Sequence, residues 1–147
     1  MFNEGLKLTD LSVETIKKIE ELGGKHKCDS AADMYGVRFH HLFDFDNSFG
    51  ISISKNAHTY GSQDDKWEIA VMDKDGVCCD TPVLSDVAGW LSEEEVIGYA
   101  KKISEIDKTV VEQYRRAVEI EEMFNQMTKL FYQLQKLLPE RPYEPGE

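Results

Sequence analysis

The stretch Trp67-Glu68-Ile69-Ala70-Val71-Met72-Asp73-Lys74-Asp75-Gly76 decides the fold. Trp67, Ile69 and Val71 alternate with Glu68, Ala70 and Met72. Period two predicts a strand with one buried face, because successive side chains point to opposite sides of the pleat. Asp73-Lys74-Asp75-Gly76 predicts a tight turn into a short strand over 77–80, with Gly76 free to take φ > 0. The same alternation runs upstream through Tyr35, Val37 and Phe39, then Phe43 and Phe45, then Phe49, Ile51 and Ile53. A weaker turn at Asn47-Ser48 joins two of these runs. Connections this short exclude helical crossovers, so about four antiparallel strands are expected over 34–80. Pro82 cannot donate to a ladder and ends the sheet region. Residues 83–91 are expected to hold a short helical turn around Asp86.

Helices flank the sheet region. Ser12 is a candidate N-cap for a helix over 12–22, where Val13, Ile16, Ile19 and Leu22 form one apolar stripe. Gly23-Gly24 is the stop, and the polar residues 25–33 are expected to be loop. Downstream, Ser92-Glu93-Glu94-Glu95 is a capping-box pattern that opens a helical periodicity reaching Leu138 without proline. A seven-residue register fits it. Val96, Ile103, Val110, Ala117, Phe124, Phe131 and Leu138 take one seam position; Tyr99, Ile106, Gln113, Ile120, Met127 and Leu134 take the other. Two readings stay open. A continuous helix of about 43 residues, roughly 65 Å long, would overhang its own domain and need a partner helix, most simply in a dimer. Alternatively, the polar insert Asp107-Lys108-Thr109 breaks the helix, and Thr109-Val110-Val111-Glu112 caps a second helix that folds back. Both readings have residues 117–138 bury a broad face, with Val110, Ala117, Ile120, Phe124, Met127, Phe131 and Leu134 as the oligomer seam. Pro139, Pro142 and Pro145 exclude helix beyond that point. The expected class is therefore α+β: an α+β domain over 1–91, a long helix or helical hairpin over 92–138, and a proline-rich flexible tail over 139–147.

Composition narrows the function. The 147 residues include 17 Lys+Arg and 28 Asp+Glu, a net charge of −11. That charge repels nucleic acid and anionic lipid, and no stretch has more than two consecutive basic residues. An apolar content of 41% with 10% aromatics supports a packed core rather than disorder. No apolar run approaches the ~20 residues of a membrane span, and the N-terminal residues lack the pattern of a signal peptide. Three cysteines, Cys28, Cys78 and Cys79, read as free thiols in a reducing compartment. In a strand, the adjacent pair would place one thiol in the core and the other outside.

No catalytic, cofactor or metal motif stands out. His26, Cys28, His40, His41, Cys78 and Cys79 lack the paired spacing of a zinc knuckle, and each adjacent pair can offer only one ligand. Asp44 and Asp46 share a strand face but have none of the parallel α/β context of a phosphoryl-transfer site. Asp65 and Glu68 suggest a nuclease carboxylate pair, but Ala70 stands where the lysine would be needed. The loop over 55–66 concentrates polar and small residues, with His58, Thr59, Tyr60 and Gly61 between strands. It reads equally as a binding loop and as an ordinary connection with a tyrosine folded onto the sheet.

Phe49-Gly50-Ile51-Ser52-Ile53, Thr59-Tyr60-Gly61, Trp67-Glu68-Ile69-Ala70-Val71, Asp80-Thr81-Pro82-Val83, Asp86-Val87 and Gly89-Trp90-Leu91 follow one another in order. This string resembles a group of small proteins encoded by bacteriophages and prophages, whose pattern reads Gly-x-Ser-Val, Ser/Thr-Tyr-Gly, Glu-x-Ala-Val and Asp-Thr-Pro-Ile-Thr-Asp-Asp-Val. The likeness covers residues 49–91 and departs from the group at Val83-Leu84-Ser85. It implies a phage or prophage origin and a bacterial cytoplasm, and carries over no activity and no site residue. The leading functional expectation is a non-enzymatic acidic interaction protein that modulates host machinery. One form is an anti-CRISPR-like protein occupying a basic nucleic-acid-binding surface of a host protein. Asp64, Asp65, Glu68, Asp73, Asp75, Asp80, Asp86, Glu93, Glu94 and Glu95 would supply the acidic face. The alternatives are a module that sequesters a nucleotide signal at loop 55–66, and a virion assembly protein built on the heptad helix.

Overall fold

The alternation around Trp67 forms the strand it predicts, and the helical periodicities form helices on either side of the sheet region. The computed structural model describes residues 7–33 and 36–139, so Tyr35 and most of the proline-rich tail lie outside the described residues. In chain order the elements are α1 (Val13–Glu21), β1 (Lys25–Cys28), β2 (Ala31–Asp33), β3 (Gly36–Asp44), β4 (Gly50–Lys55), a short 3₁₀ turn (Ser62–Asp64), β5 (Trp67–Asp73), β6 (Gly76–Val77), β7 (Ala88–Leu91), α2 (Glu93–Ser104) and α3 (Lys108–Leu137). The class is α+β. Every strand pair is antiparallel, in the order β1-β3-β4-β5-β6, with β2 also on β3 and β7 also on β5.

Register places the apolar residues in cross-strand rows. Phe43, Ile51 and Val71 form one row, and His41, Ile53 and Ile69 the next. The apolar members of these rows are buried, as are Trp67 of β5, Ile19 of α1, and Val96, Ala100 and Ile103 of α2. These residues form one core. Burying each Ile or Phe side chain contributes about 1.5–3 kcal/mol, so this face of the sheet holds the unit together. Ser12 caps α1 as the sequence indicates, its hydroxyl accepting from the Thr15 N–H. Ser12→Ala is expected to lower the unfolding free energy by about 1 kcal/mol, measured by urea denaturation. Ser92 and Glu95 form the reciprocal capping box at the start of α2.

Several expectations need correction. Over 34–80 the structure holds the four expected strands, β3–β6, but among the described residues the sheet has seven, with β1, β2 and β7 added from outside that range. Residues 25–33 form β1 and β2, not a loop. An edge strand needs only main-chain pairing and few buried side chains, and Lys25, Lys27 and Cys28 are exposed. The expected strand over 77–80 reduces to Gly76–Val77, although the Cys78 N–H still donates to the Val71 carbonyl at 2.8 Å. Cys78 is buried and Cys79 exposed, as the adjacent pair predicts. Residues 83–91 hold a strand rather than a helical turn, with Leu91 opposite Trp67 and Ala88 opposite Ile69.

The helical periodicity after Ser92 is broken into α2 and α3 at Glu105–Asp107. Asn47, in the β3–β4 turn, donates its side-chain amide to the carbonyls of Ile103 and Ile106 at 2.8 and 3.1 Å. The Ile103 carbonyl lies in the last turn of α2 and the Ile106 carbonyl in the connection that follows, so Asn47 holds the chain where the helix stops. The new helix is capped by Asp107, whose carboxylate accepts the Thr109 N–H at 2.8 Å, and not by Thr109. The chain divides into two compact units after Val111, so the first unit extends past residue 91. The reason is that Val96, Ile103, Ile106 and Val111 are core residues of that unit.

Candidate functional site

The loop between β4 and β5 is ordered by its own short side chains. The Asn56 side chain accepts the His58 N–H at 2.7 Å, and the Thr59 hydroxyl accepts the Asn56 N–H at 3.0 Å. Glu68 accepts the Tyr60 N–H at 2.7 Å, tying the loop back to β5. Gly61, at φ +97°, then turns the chain into the 3₁₀ segment. The Trp90 N–H donates to the Tyr60 carbonyl at 3.2 Å, joining this loop to β7. The Tyr60 and Trp90 rings stack at 5.7 Å and 24°, yet each residue is 57% exposed.

Two glycines allow that approach. A Cβ on Gly89 would lie 2.4 Å from Tyr60 Cβ, and one on Gly61 would lie 2.7 Å from the Trp90 backbone. Trp90 itself sits at φ +55°. A large residue rarely adopts that region, and such outliers cluster at binding and catalytic sites. Beside the ring pair lies a cleft of about 230 Å³, lined by residues 57–63 and Trp90. Of the loop residues expected to bind, His58, Thr59, Tyr60 and Gly61 all line it. Sequence reading missed Trp90 as their partner; the Gly-Trp pair at 89–90 was the available signal.

A second polar group lies at the end of the sheet beneath residues 9–12. His41 is buried, and its Nε2 meets an Asp10 carboxylate oxygen at 2.7 Å. Its Nδ1 meets His26 Nε2 at 2.8 Å, so the two imidazoles share one hydrogen bond. His26 also stacks on Phe43. Lys55, equally buried, donates Nζ to Asp65 and to the Thr9 carbonyl, both at 2.8 Å, and lies 4.0 Å from the Trp67 ring centre. Among the described residues no buried side-chain polar atom lacks a partner. The group therefore reads as an anchor for the N-terminal segment. Alternation separates His40 from His41, and only topology brings Asp10 and His26 to His41, so sequence reading missed this group. Among the described residues no three His, Cys, Asp or Glu side chains gather as metal ligands.

Burial, and then the neighbouring His41, lower the His26 pKa, against the opposing pull of Glu20 and Asp10. A lowered histidine means that the folded state binds fewer protons than the unfolded state. Stability is then full above the unfolded value near 6.5 and falls as pH drops below it. Urea midpoints are expected to fall from pH 7.5 to 5.5, and to fall less in His26→Gln.

Several of the acidic residues hold structural hydrogen bonds. Asp65 holds Lys55 and accepts the Thr9 N–H, Glu68 holds Tyr60, and Glu93 accepts the Ser12 N–H at 2.7 Å. Glu95 closes the capping box, Asp73 accepts the Asp75 N–H and Asp86 accepts the Val87 N–H. Asp80 is half-buried, whereas Asp64, Asp75, Asp86 and Glu94 remain exposed. Burial alone would raise the Asp65 carboxyl; hydrogen bonds from Lys55 and Thr9 outweigh it and hold it below the usual range.

The seam residues lie on one helix. Val110, Ala117, Ile120, Phe124, Met127, Phe131 and Leu134 all fall within α3 and all are exposed, Phe124 at 67%. Met123, Leu130 and Leu137 widen the exposed apolar stripe. No described helix is long and apolar enough to cross a membrane. Comparison of the chain with protein-family models, with curated proteins and with solved structures gives no match.

Proposed function

We propose that the protein is a non-enzymatic interaction protein, which pairs with a second copy of itself through α3 and presents its acidic α+β unit to a basic protein partner. One observation carries the reading: a 30-residue helix leaves Ile120, Phe124, Met127, Phe131 and Leu134 exposed at heptad spacing. Isolated helices draw little stability from propensity and need a covered apolar face. An apolar heptad seam is covered most economically by the same seam of a second chain. Amide hydrogen exchange tests this. Residues 117–137 are expected to gain protection as protein concentration rises. Protection that is independent of concentration would contradict pairing between chains.

The partner reading rests on charge. Most of the net charge of −11 lies in the first unit, and exposed Asp64, Asp75, Asp86 and Glu94 remain available on it. With the resemblance to phage and prophage proteins, this supports a modulator of a basic, nucleic-acid-acting host protein in a bacterial cytoplasm. Affinity capture from bacterial lysate, with nuclease present, is expected to recover such a protein at low salt and to lose it at high salt, as screening shortens the reach of exposed charges to a few ångströms. Recovery that survives high salt would count against the electrostatic reading. A nucleotide ligand at loop 55–66 is less well supported, because no Lys or Arg lines the cleft. A virion assembly role would instead give co-purification with particles.

A further inference from the structure

The geometry at Tyr60 and Trp90 points to an arginine-binding cleft, in which the guanidinium of a basic polypeptide stacks on the exposed aromatic pair. This deepens the basic-partner reading and rests on it. The pair is built rather than incidental. Gly61 and Gly89 are the only residue types that fit between Tyr60 and Trp90 at their positions, since a Cβ on either would lie under 3 Å from the opposing segment. Trp90 holds an unfavourable φ of +55° while its ring stays 57% exposed to water. A tryptophan that serves only packing would be buried, as Trp67 is.

The chemistry of the cleft selects the ligand. The rings stack at 5.7 Å and 24° while each residue stays 57% exposed, so π surface remains open to water. A planar cation stacks on such a surface better than an ammonium does. The lining adds the exposed side-chain amide of Gln63 as a hydrogen-bond partner for guanidinium N–H groups. No Lys or Arg lines the cleft, and the exposed Asp64 adjoins it in sequence. A nucleobase would also stack, but its phosphate would enter the field of a protein of charge −11. Charge complementarity therefore favours an arginine side chain.

The two tryptophans give separate indole N–H signals, and both belong to the first unit, so the readout does not depend on α3 pairing. The full chain is titrated with a short glycine–arginine peptide, its glycine–lysine counterpart and adenosine monophosphate, each followed by nuclear magnetic resonance. The arginine peptide is expected to shift the Trp90 signal saturably and to leave the Trp67 signal in place. Trp90→Gly suits the left-handed backbone and keeps the Trp67 signal as proof of folding. In that variant and in Tyr60→Ala, the affinity, read from backbone amides of residues 57–63, is expected to drop about tenfold or more. Equal response to arginine and lysine peptides, a response to adenosine monophosphate alone, or no saturable shift would each overturn the assignment. A saturable, arginine-selective shift in a protein that captures no basic partner would support the cleft and refute only the partner reading.

Discussion

Phe124→Glu combined with Phe131→Glu is expected to abolish the proposed pairing through α3 and leave a monomer. Both phenylalanines take the same heptad position of α3, one repeat apart, and both are more than half exposed. Both rings are already partly covered, so pairing buries only their exposed part. Full burial of a phenylalanine contributes about 1.5–3 kcal/mol, which bounds what each ring supplies to the association. Glutamate removes that gain and opposes like charge across the seam. The dissociation constant is expected to rise by at least about 10³-fold, and far-ultraviolet circular dichroism is expected to show partial loss of α3. Lys129→Glu, at a position outside the seam, is the control and should leave the mass unchanged.

Asp65→Asn is expected to destabilise the first unit by about 2–3 kcal/mol, more than Lys55→Met does. The asymmetry follows from burial. Lys55 is 2% exposed, whereas the Asp65 side chain is 38% exposed. Replacing the carboxylate by an amide leaves an ammonium in the core with neutral acceptors alone, the amide oxygen, the Thr9 carbonyl and the Trp67 ring. Breaking a buried pair from one side costs about 3–5 kcal/mol; partial exposure of Asp65 reduces that figure. Removing Lys55 instead leaves a carboxylate that water and the Thr9 N–H can still solvate. The same pair sets an acid limit. Because the folded Asp65 pKa is depressed, the folded state binds fewer protons. Its contribution is present above the unfolded value near 3.8 and is lost as pH falls through the lower folded value. Urea midpoints compared between pH 6 and 3 are expected to fall less steeply in Asp65→Asn.

The legible parts of this fold are those written in local periodicity. Trp67, Ile69 and Val71 face the core as their alternation requires, and Ser12 and Ser92 cap α1 and α2. The illegible parts are those set by residues distant in sequence. β1 has no apolar alternation and exists because the 41–44 segment of β3 pairs with it. The break after α2 depends on Asn47, more than fifty residues earlier. The heptad register ran through that break because a helix packed on a sheet and a helix with a free apolar stripe share nearly the same spacing. At the cleft, Tyr60 was visible as part of a polar loop, but its stacking partner arrives from β7, thirty residues on. Nothing near His41 in sequence reveals Asp10 or His26, so its buried hydrogen bonds were not legible.

Sedimentation equilibrium of the full chain tests the central claim most directly. A mass of twice the 16.8 kDa chain, falling toward one chain on dilution, is expected. A mass of 16.8 kDa at every attainable concentration would contradict it.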